Sequence, residues 1–211
     1  MTATLWLARH GQSVSNAVRR FQGAQDVPLS PLGHRQAEAL ADRLADWPIA
    51  HVYASPLERA RRTADIVVAA LGAPLTILDD LRELSLGEWE GRTVDEVRTL
   101  PGDPYAQWVR DPVAMAPPGG EALAEVQARA LRAVGRIAAA HGPGEAVLVV
   151  SHGGVISAYL AHCLGLPLSS LWRLTVSNCA LSRVAPPRVL SVNDGAHLAT
   201  LRVEAGPALA P

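Results

Sequence analysis

Apolar positions along the chain follow two alternating rhythms. Short continuous runs occur at 3–8 (ATLWLA) and 146–150 (AVLVV), with a weaker one at 50–54 (AHVYA). Such runs suit strands of a sheet covered on both faces. Between them the apolar residues recur at helical spacing. In 31–46, Ala37, Leu40, Ala41 and Leu44 share one face behind Ser30-Pro31, an N-cap followed by a first-turn proline. The next helix opens with the same pair, Ser55-Pro56, where Glu58 completes a Ser-x-x-Glu capping box and Ala60, Ala64, Val67 and Val68 form the stripe. A long helix over about 120–141 presents Leu123, Val126, Ala130, Val134 and Ile137. Strands alternating with helices of this length predict an α/β fold, a three-layer α/β/α sandwich around a mainly parallel central sheet.

The segment 84–120 breaks the rhythm. It holds Trp89, Trp108, five prolines and several glycines, with only short helical pieces such as 93–100, and reads as an inserted cap segment folded over one end of the sheet. Two strand-like stretches, 180–184 and 188–193, flank Pro186-Pro187 and suit an edge hairpin. No internal repeat is visible, so 1–200 reads as a single domain with 84–120 inserted in it, and 201–211 as a frayed tail.

Hydrophobic residues make up 49% of the 211 and charged residues 18%, which supports one sizeable core and argues against general disorder. The formal net charge is −1, so neither nucleic acid nor an anionic membrane is an expected partner, and any anion must be gripped locally. There is no lysine: all 19 cationic residues are arginines. Walker-type P-loops, Schiff-base enzymes and Ser-Lys hydrolases are thereby excluded. The two cysteines, Cys163 and Cys179, form neither a metal-ligand spacing nor a disulfide framework. The opening MTATLWLARHGQ lacks the charged start and long apolar stretch of a signal peptide, and no apolar window approaches the ~20 residues of a membrane span. A cytoplasmic location is the expectation.

Three strands run directly into polar turns: LWLA into Arg9-His10-Gly11, VYA into Ser55-Pro56-Leu57-Glu58-Arg59, and VLVV into Ser151-His152-Gly153-Gly154. In a parallel sheet those turns share one edge, where ligands of open α/β sheets bind. Taken singly, each His or Arg is an ordinary polar residue. Together, two imidazoles and two guanidiniums suit a phosphoryl group, whose oxygens accept donation from arginine forks. One arginine usually suffices for a carboxylate, so phosphate is favoured.

Leu7-Ala8-Arg9-His10-Gly11-Gln12-Ser13, followed by Asn16, resembles the opening signature of the histidine phosphatase superfamily, in its phosphoglycerate-mutase-like branch. Gln12 before Ser13 departs from the Glu-Thr of many members. The resemblance continues in order through Leu29-Ser30-Pro31-Leu32-Gly33, Ser55-Pro56-Leu57-Glu58-Arg59-Ala60 with Thr63, Leu81-Arg82-Glu83, Gly87-Glu88-Trp89-Glu90-Gly91, Pro118-Gly119-Gly120-Glu121, Ser151-His152-Gly153-Gly154 and Asn193-Asp194. It implies that His10 is the nucleophile that becomes phosphohistidine, that Arg9, Arg59 and His152 cradle the transferred group, and that Asn16 and the backbone near Gly11 and Gly153 assist. Glu83 corresponds to the proton donor, a role that needs a raised pKa from burial or from the phosphate's charge. A neutral imidazole is nucleophilic at pH 7, and adjacent arginines keep it neutral, while a carbonyl on the other ring nitrogen is the usual orienting partner.

The expected reaction is hydrolysis of a small phosphate monoester. The rival is a cofactor-dependent phosphoglycerate mutase, whose relatives resemble one another in a longer basic segment after the Glu motif. Here 84–120 carries Arg92, Arg98 and Arg110 against Glu88, Glu90, Asp95, Glu96, Asp103 and Asp111, an acidic balance that argues against a bisphosphorylated ligand. A catalytically silent phosphate-binding module, the third reading, should have lost a core residue, and none is missing. No cofactor is expected and no metal: His-x-x-x-His and His-x-Asp clusters are absent, and arginines repel a cation. Phe21, Gln22 and Trp89, with Trp108 and Met115, are candidate walls for the leaving group. His34, His51, His141 and His162 fall on helix or connector positions without partners and read as surface or packing residues, His197 stands near a family ending close to the site mouth, and a homodimer through a sheet edge is compatible with the pattern.

Overall fold

The computed structural model describes residues 3–201. Six strands, β1 (Thr4–Arg9), β2 (Ile49–Ala54), β3 (Leu75–Ile77), β4 (Ala146–Ser151), β5 (Leu181–Ala185) and β6 (Arg188–Asp194), form one sheet in the order β3-β2-β4-β1-β5-β6. The three apolar runs are its centre: β1 and β2 both pair with β4 in parallel, with Arg9 opposite Ser151 and Ala54 opposite Val150. The hairpin β5–β6 joins antiparallel, β5 on β1 and β6 at the edge. β3 is three residues, two half-buried and Ile77 exposed, too short for an apolar run to mark it.

Helices cover both faces, giving the three layers. On one side α2 (Pro31–Leu44) and α3 (Glu58–Leu71) press Ala37, Leu40, Ala60, Ala64 and Val67 against Val52, Leu148 and Val150. On the other, α6 (Leu123–Ala140) and α7 (Gly153–Cys163) bury Val126, Ala130, Ile137, Ile156 and Leu160 on Leu5, Leu7, Val147 and Val149. Short α1 (Val14–Ala17), α4 (Val94–Arg98) and α5 (Pro104–Arg110) complete the set. α7 escapes a periodicity search because eight of its eleven residues are buried, leaving no polar face to define a period.

The pattern of 84–120 agrees with its composition: α4, α5 and a 3₁₀ turn at Gly87–Trp89 are joined by loops. Its apolar residues are not a separate core. Trp89, Val94, Val97, Tyr105 and Trp108 belong to the cluster that covers the α6–α7 face of the sheet. Phe21 N–H donates to the Arg92 carbonyl at 2.9 Å and Gly91 N–H to the Phe21 carbonyl at 2.8 Å, stitching this segment to the chain after α1.

Two local expectations are corrected. Ser30 caps α2 as read, accepting the Gly33 N–H at 3.0 Å, but Ser55 does not cap α3. Its N-cap is Leu57, with no side-chain bond, because the Ser55 hydroxyl turns to His152 instead. His51 and His141 have partners: His51 Nε2 lies 2.8 Å from Thr76 Oγ1, and His141 Nε2 lies 2.9 Å from the Tyr53 hydroxyl. Of the tail 201–211, residues 202–211 lie outside the described residues. No helix of the described residues is long and apolar enough to cross a membrane.

Candidate active site

The ends of β1, β4 and β2 bring their polar turns to one edge. Backbone pairing carries on past the strands, with His10 N–H on the Ser151 carbonyl at 2.9 Å and Ser55 N–H on the Val150 carbonyl at 3.0 Å. The His10 and His152 rings consequently stand 5.0 Å apart, centroid to centroid, and both are buried. The turn after β1 packs bare backbone on α2: a Cβ on Gly11 would collide with the Gly33 carbonyl, and one on Gly33 with the Gln12 carbonyl.

His10 is oriented through one ring nitrogen. Its Nδ1 lies 2.7 Å from the Gly11 carbonyl, an acceptor, so Nδ1 holds the proton and Nε2 the lone pair. That lone pair accepts from Arg59 Nε–H at a long 3.3 Å. Arg59 is itself anchored, Nη1 to the Gln25 carbonyl at 2.7 Å and Nη2 to the Gly23 carbonyl at 2.8 Å. Arg9 donates from Nη1 to the Val176 carbonyl at 2.8 Å, while its buried Nε–H meets no partner among the described residues. Burial, then Arg59 and Arg9, hold the His10 imidazole well below its ordinary 6.5. Burial, then Arg59, His10, Arg9 and Arg129, do the same to His152. The arginines lose basicity too, Arg59 to about 10, chiefly by burial and partly offset by Glu83. Two neutral imidazoles therefore sit between two guanidinium cations at pH 7.

Glu83 faces this group from the loop that follows the 3₁₀ turn at Asp79–Leu81. Its carboxylate accepts from the Leu84 N–H at 2.9 Å and the Gly154 N–H at 3.2 Å. A Cβ on Gly154 would approach Glu83 Oε1 to 2.7 Å, so the glycine makes room for the carboxylate. Arg9, His10, Asn16, Arg59, Glu83 and Gly153 line one cavity of about 340 Å³, together with Phe21 and Gln22. Asn16 Oδ1 accepts from Ser13 N–H at 3.2 Å, and Gln22 Oε1 from the Ser13 hydroxyl at 2.6 Å.

Several expected residues lie elsewhere. Gly11 does not offer its amide to the cavity: its N–H donates to Thr63 Oγ1 at 3.0 Å and its carbonyl holds His10. Trp89 is only 1% exposed, packed behind Phe21 with the rings 5.5 Å apart, so Phe21 and not Trp89 forms the wall. Trp108 does line the cavity; Met115 packs against the core away from it. His197 Nε2 lies 3.0 Å from the Cys179 carbonyl, outside the cavity wall.

Sequence reasoning gave no site role to four supporting residues, two of which, Ser55 and Thr63, stand in the blocks quoted above. Ser55 Oγ lies 2.7 Å from His152 Nε2. Thr63 joins the Gly11 N–H to the Arg59 carbonyl. Asn178 Nδ2 donates to the His10 carbonyl at 2.8 Å. Arg129 forms a two-pronged pair with Glu121 at 2.8 and 2.9 Å and donates to the Asp80 and Arg82 carbonyls, clamping the backbone that carries Glu83. Arg129 left a signal, since it falls between Val126 and Ala133 on the buried stripe of α6; Asn178, in a loop before β5, left none.

The comparisons with known proteins agree with this geometry. The model of the histidine phosphatase superfamily (branch 1) matches residues 5–189. A Yersinia pestis protein named "Probable phosphoglycerate mutase GpmB" is 36% identical over 183 residues, 85% of this chain and 83% of that protein. YhfR of Bacillus stearothermophilus superposes with a TM-score of 0.87 at 36% identity, over 93% of this chain and 99% of that one. A mycobacterial glucosyl-3-phosphoglycerate phosphatase gives 0.83 at 30% identity, over 92% and 100%. With the sheet order, the paired histidines and the family match in agreement, the chain belongs to the histidine phosphatase superfamily.

Proposed function

We propose that the protein is a phosphomonoesterase that hydrolyses a small phosphorylated metabolite through a phosphohistidine on His10. One observation carries the reading: an imidazole with Nδ1–H tied to a carbonyl turns its Nε2 lone pair toward an arginine N–H inside a cationic cavity. An incoming phosphoryl oxygen is a stronger acceptor for Arg59 Nε–H than the ring nitrogen, so binding substrate frees the nucleophile. Nε2 then attacks phosphorus, the bond from phosphorus to the ester oxygen breaks, and Glu83 gives that oxygen its proton. Arg9 and Arg59 offset the charge spread over the phosphoryl oxygens, while His152, buried beside His10 and not part of the cavity wall, would reach them only through its unpartnered Nδ1. In the second half, Glu83 takes a proton from water, the water oxygen bonds to phosphorus, the bond to Nε2 breaks and inorganic phosphate leaves. No step needs a metal ion, so a chelator leaves the rate unchanged.

The test is turnover of p-nitrophenyl phosphate by His10→Gln, expected to vanish, with alkaline quench and mass spectrometry of the parent enzyme expected to find the phosphoryl group on the peptide containing His10. A variant that keeps most of its activity overturns the reading. Removing one cradle donor, as in Arg9→Met, is expected to cost about 10²–10³ in rate. The second reading, a phosphoglycerate mutase, has the 36% identical Yersinia protein in its favour. Interconversion of 3- and 2-phosphoglycerate with a bisphosphate primer, faster than hydrolysis, decides for it. The mycobacterial phosphatase, by contrast, is a hydrolase by name and has been solved with inorganic phosphate.

A further inference from the structure

The His10 group accounts for only part of the cavity wall. Much of the rest is aromatic and comes from three places in the chain: Phe21 from the turn after α1, Tyr105 and Trp108 from α5, and Trp172 from the 3₁₀ helix Leu168–Arg173. These rings touch one another, Phe21 to Tyr105 at 6.0 Å, Phe21 to Trp108 at 6.4 Å and Trp108 to Trp172 at 4.5 Å between centroids, with Leu84 and Leu86 completing the surface. Some of the polar groups beside them are engaged, and others, the buried Trp172 Nε1–H among them, meet no partner among the described residues. Gln22 holds Ser13, and Arg20 donates to the Gly91 carbonyl and pairs with Glu96. Arg19 is exposed at the mouth, where water screens a guanidinium and weakens its hold on a carboxylate.

From this lining we infer that the alcohol half of the substrate carries an aromatic ring or a comparably flat apolar group rather than the compact hydroxy-acid of a phosphoglycerate. The inference rests on the phosphomonoesterase reading of the same cavity. A carboxylate and free hydroxyls pressed against these ring faces would lose more water than the few donors there, Trp172 Nε1–H and the Gln22 amide, can replace, whereas a flat ring meets tilted and edge-on neighbours at the spacings aromatic pairs favour. The volume, about 340 Å³, lies at the small end of small-molecule sites, roughly 300–1,000 Å³, which limits the group to one or two rings beside the phosphoryl.

A series of primary-alcohol esters, in which the leaving oxygens are chemically alike, tests this directly: ethyl phosphate, 2-phenylethyl phosphate, 2-(2-naphthyl)ethyl phosphate and 3-phosphoglycerate. The expected result is a kcat/KM for 2-phenylethyl phosphate about tenfold or more above that for ethyl phosphate. Phe21→Ser is expected to shrink that ratio toward one, and Phe21→Leu to shrink it less. Binding of the inert phosphonates, read by tryptophan fluorescence, repeats the comparison without chemistry and should favour the phenylethyl compound by a similar factor. Ethyl and arylalkyl esters turned over alike, or 3-phosphoglycerate preferred, overturns the inference and leaves the phosphatase reading intact. No ester hydrolysed, with phosphoglycerate isomerised instead, overturns the phosphatase reading and this inference with it.

Discussion

The Ser55 hydroxyl accepts the Leu57 N–H at 3.3 Å and lies 2.7 Å from His152 Nε2, a contact it can make as donor or acceptor; a His152 that serves the phosphoryl group from Nδ1–H requires the hydroxyl to be the donor. A neutral ring that accepts at Nε2 carries its hydrogen at Nδ1. His152 Nδ1 is buried without a partner among the described residues, as is Arg9 Nε, and both belong to the residues read as gripping the phosphoryl group. Ser55 is thus expected to act through His152, setting its tautomer. Ser55→Ala is expected to lower kcat about tenfold or more with less effect on KM, and Ser55→Thr to restore it. Nitrogen-15 NMR of His152 should find the hydrogen on Nδ1 in the parent enzyme and a mixture in Ser55→Ala; an Nε2–H parent contradicts this account. Arg9, His10 and His152 at the strand ends, and Arg59 in the first turn of α3, were legible in the sequence because apolar runs ended just before each of them. Ser55 was visible too, but the same serine before a proline is what a helix cap requires, and only the neighbouring strand decides between the two uses.

Elements differ in how plainly they announce themselves. α2, α3 and α6 each have a wet side and a dry side, and their period could be read; α7 is nearly all dry and β3 nearly all short. The single charge on the dry side of α6 carries the most information. Arg129 reaches the Asp80 and Arg82 carbonyls just before Glu83, while Glu121, from the Pro-Gly-Gly-Glu block, neutralises it. The block that resembled a family signature therefore does structural work here, holding the carboxylate's backbone from behind. Arg129→Ala leaves Glu121 facing a gap and two carbonyls unpaired. It is expected to destabilise the fold by about 3 kcal/mol, read by denaturant titration. It should also lower kcat by loosening Glu83, and Glu121→Gln, which keeps a hydrogen-bonding partner, should do less of both.

For the molecule as a whole, two buried neutral histidines tie stability to pH. Both His10 and His152 are held well below the ordinary 6.5, first by burial and then by the arginines around them. The unfolded chain binds protons at these positions near 6.5 while the folded chain does not, so stability is complete above that pH and falls as pH drops below it. Each group contributes a slope approaching about 1.4 kcal/mol per pH unit. The thermal midpoint is expected to fall between pH 7 and pH 5, and His152→Asn to flatten the fall if the variant folds; a midpoint insensitive to pH in that range contradicts the assignment. The layered fold was readable from alternation alone, but the division of labour within its cavity was not. The ionic end is furnished chiefly by turns at the central strands, the ringed end by the turn after α1, by α5 and by the 3₁₀ helix after α7. An ancestor with this plan can exchange one clientele for another by redecorating peripheral segments while the chemistry stays bolted to the sheet, and an engineer wishing to retarget the protein has the same few places to begin.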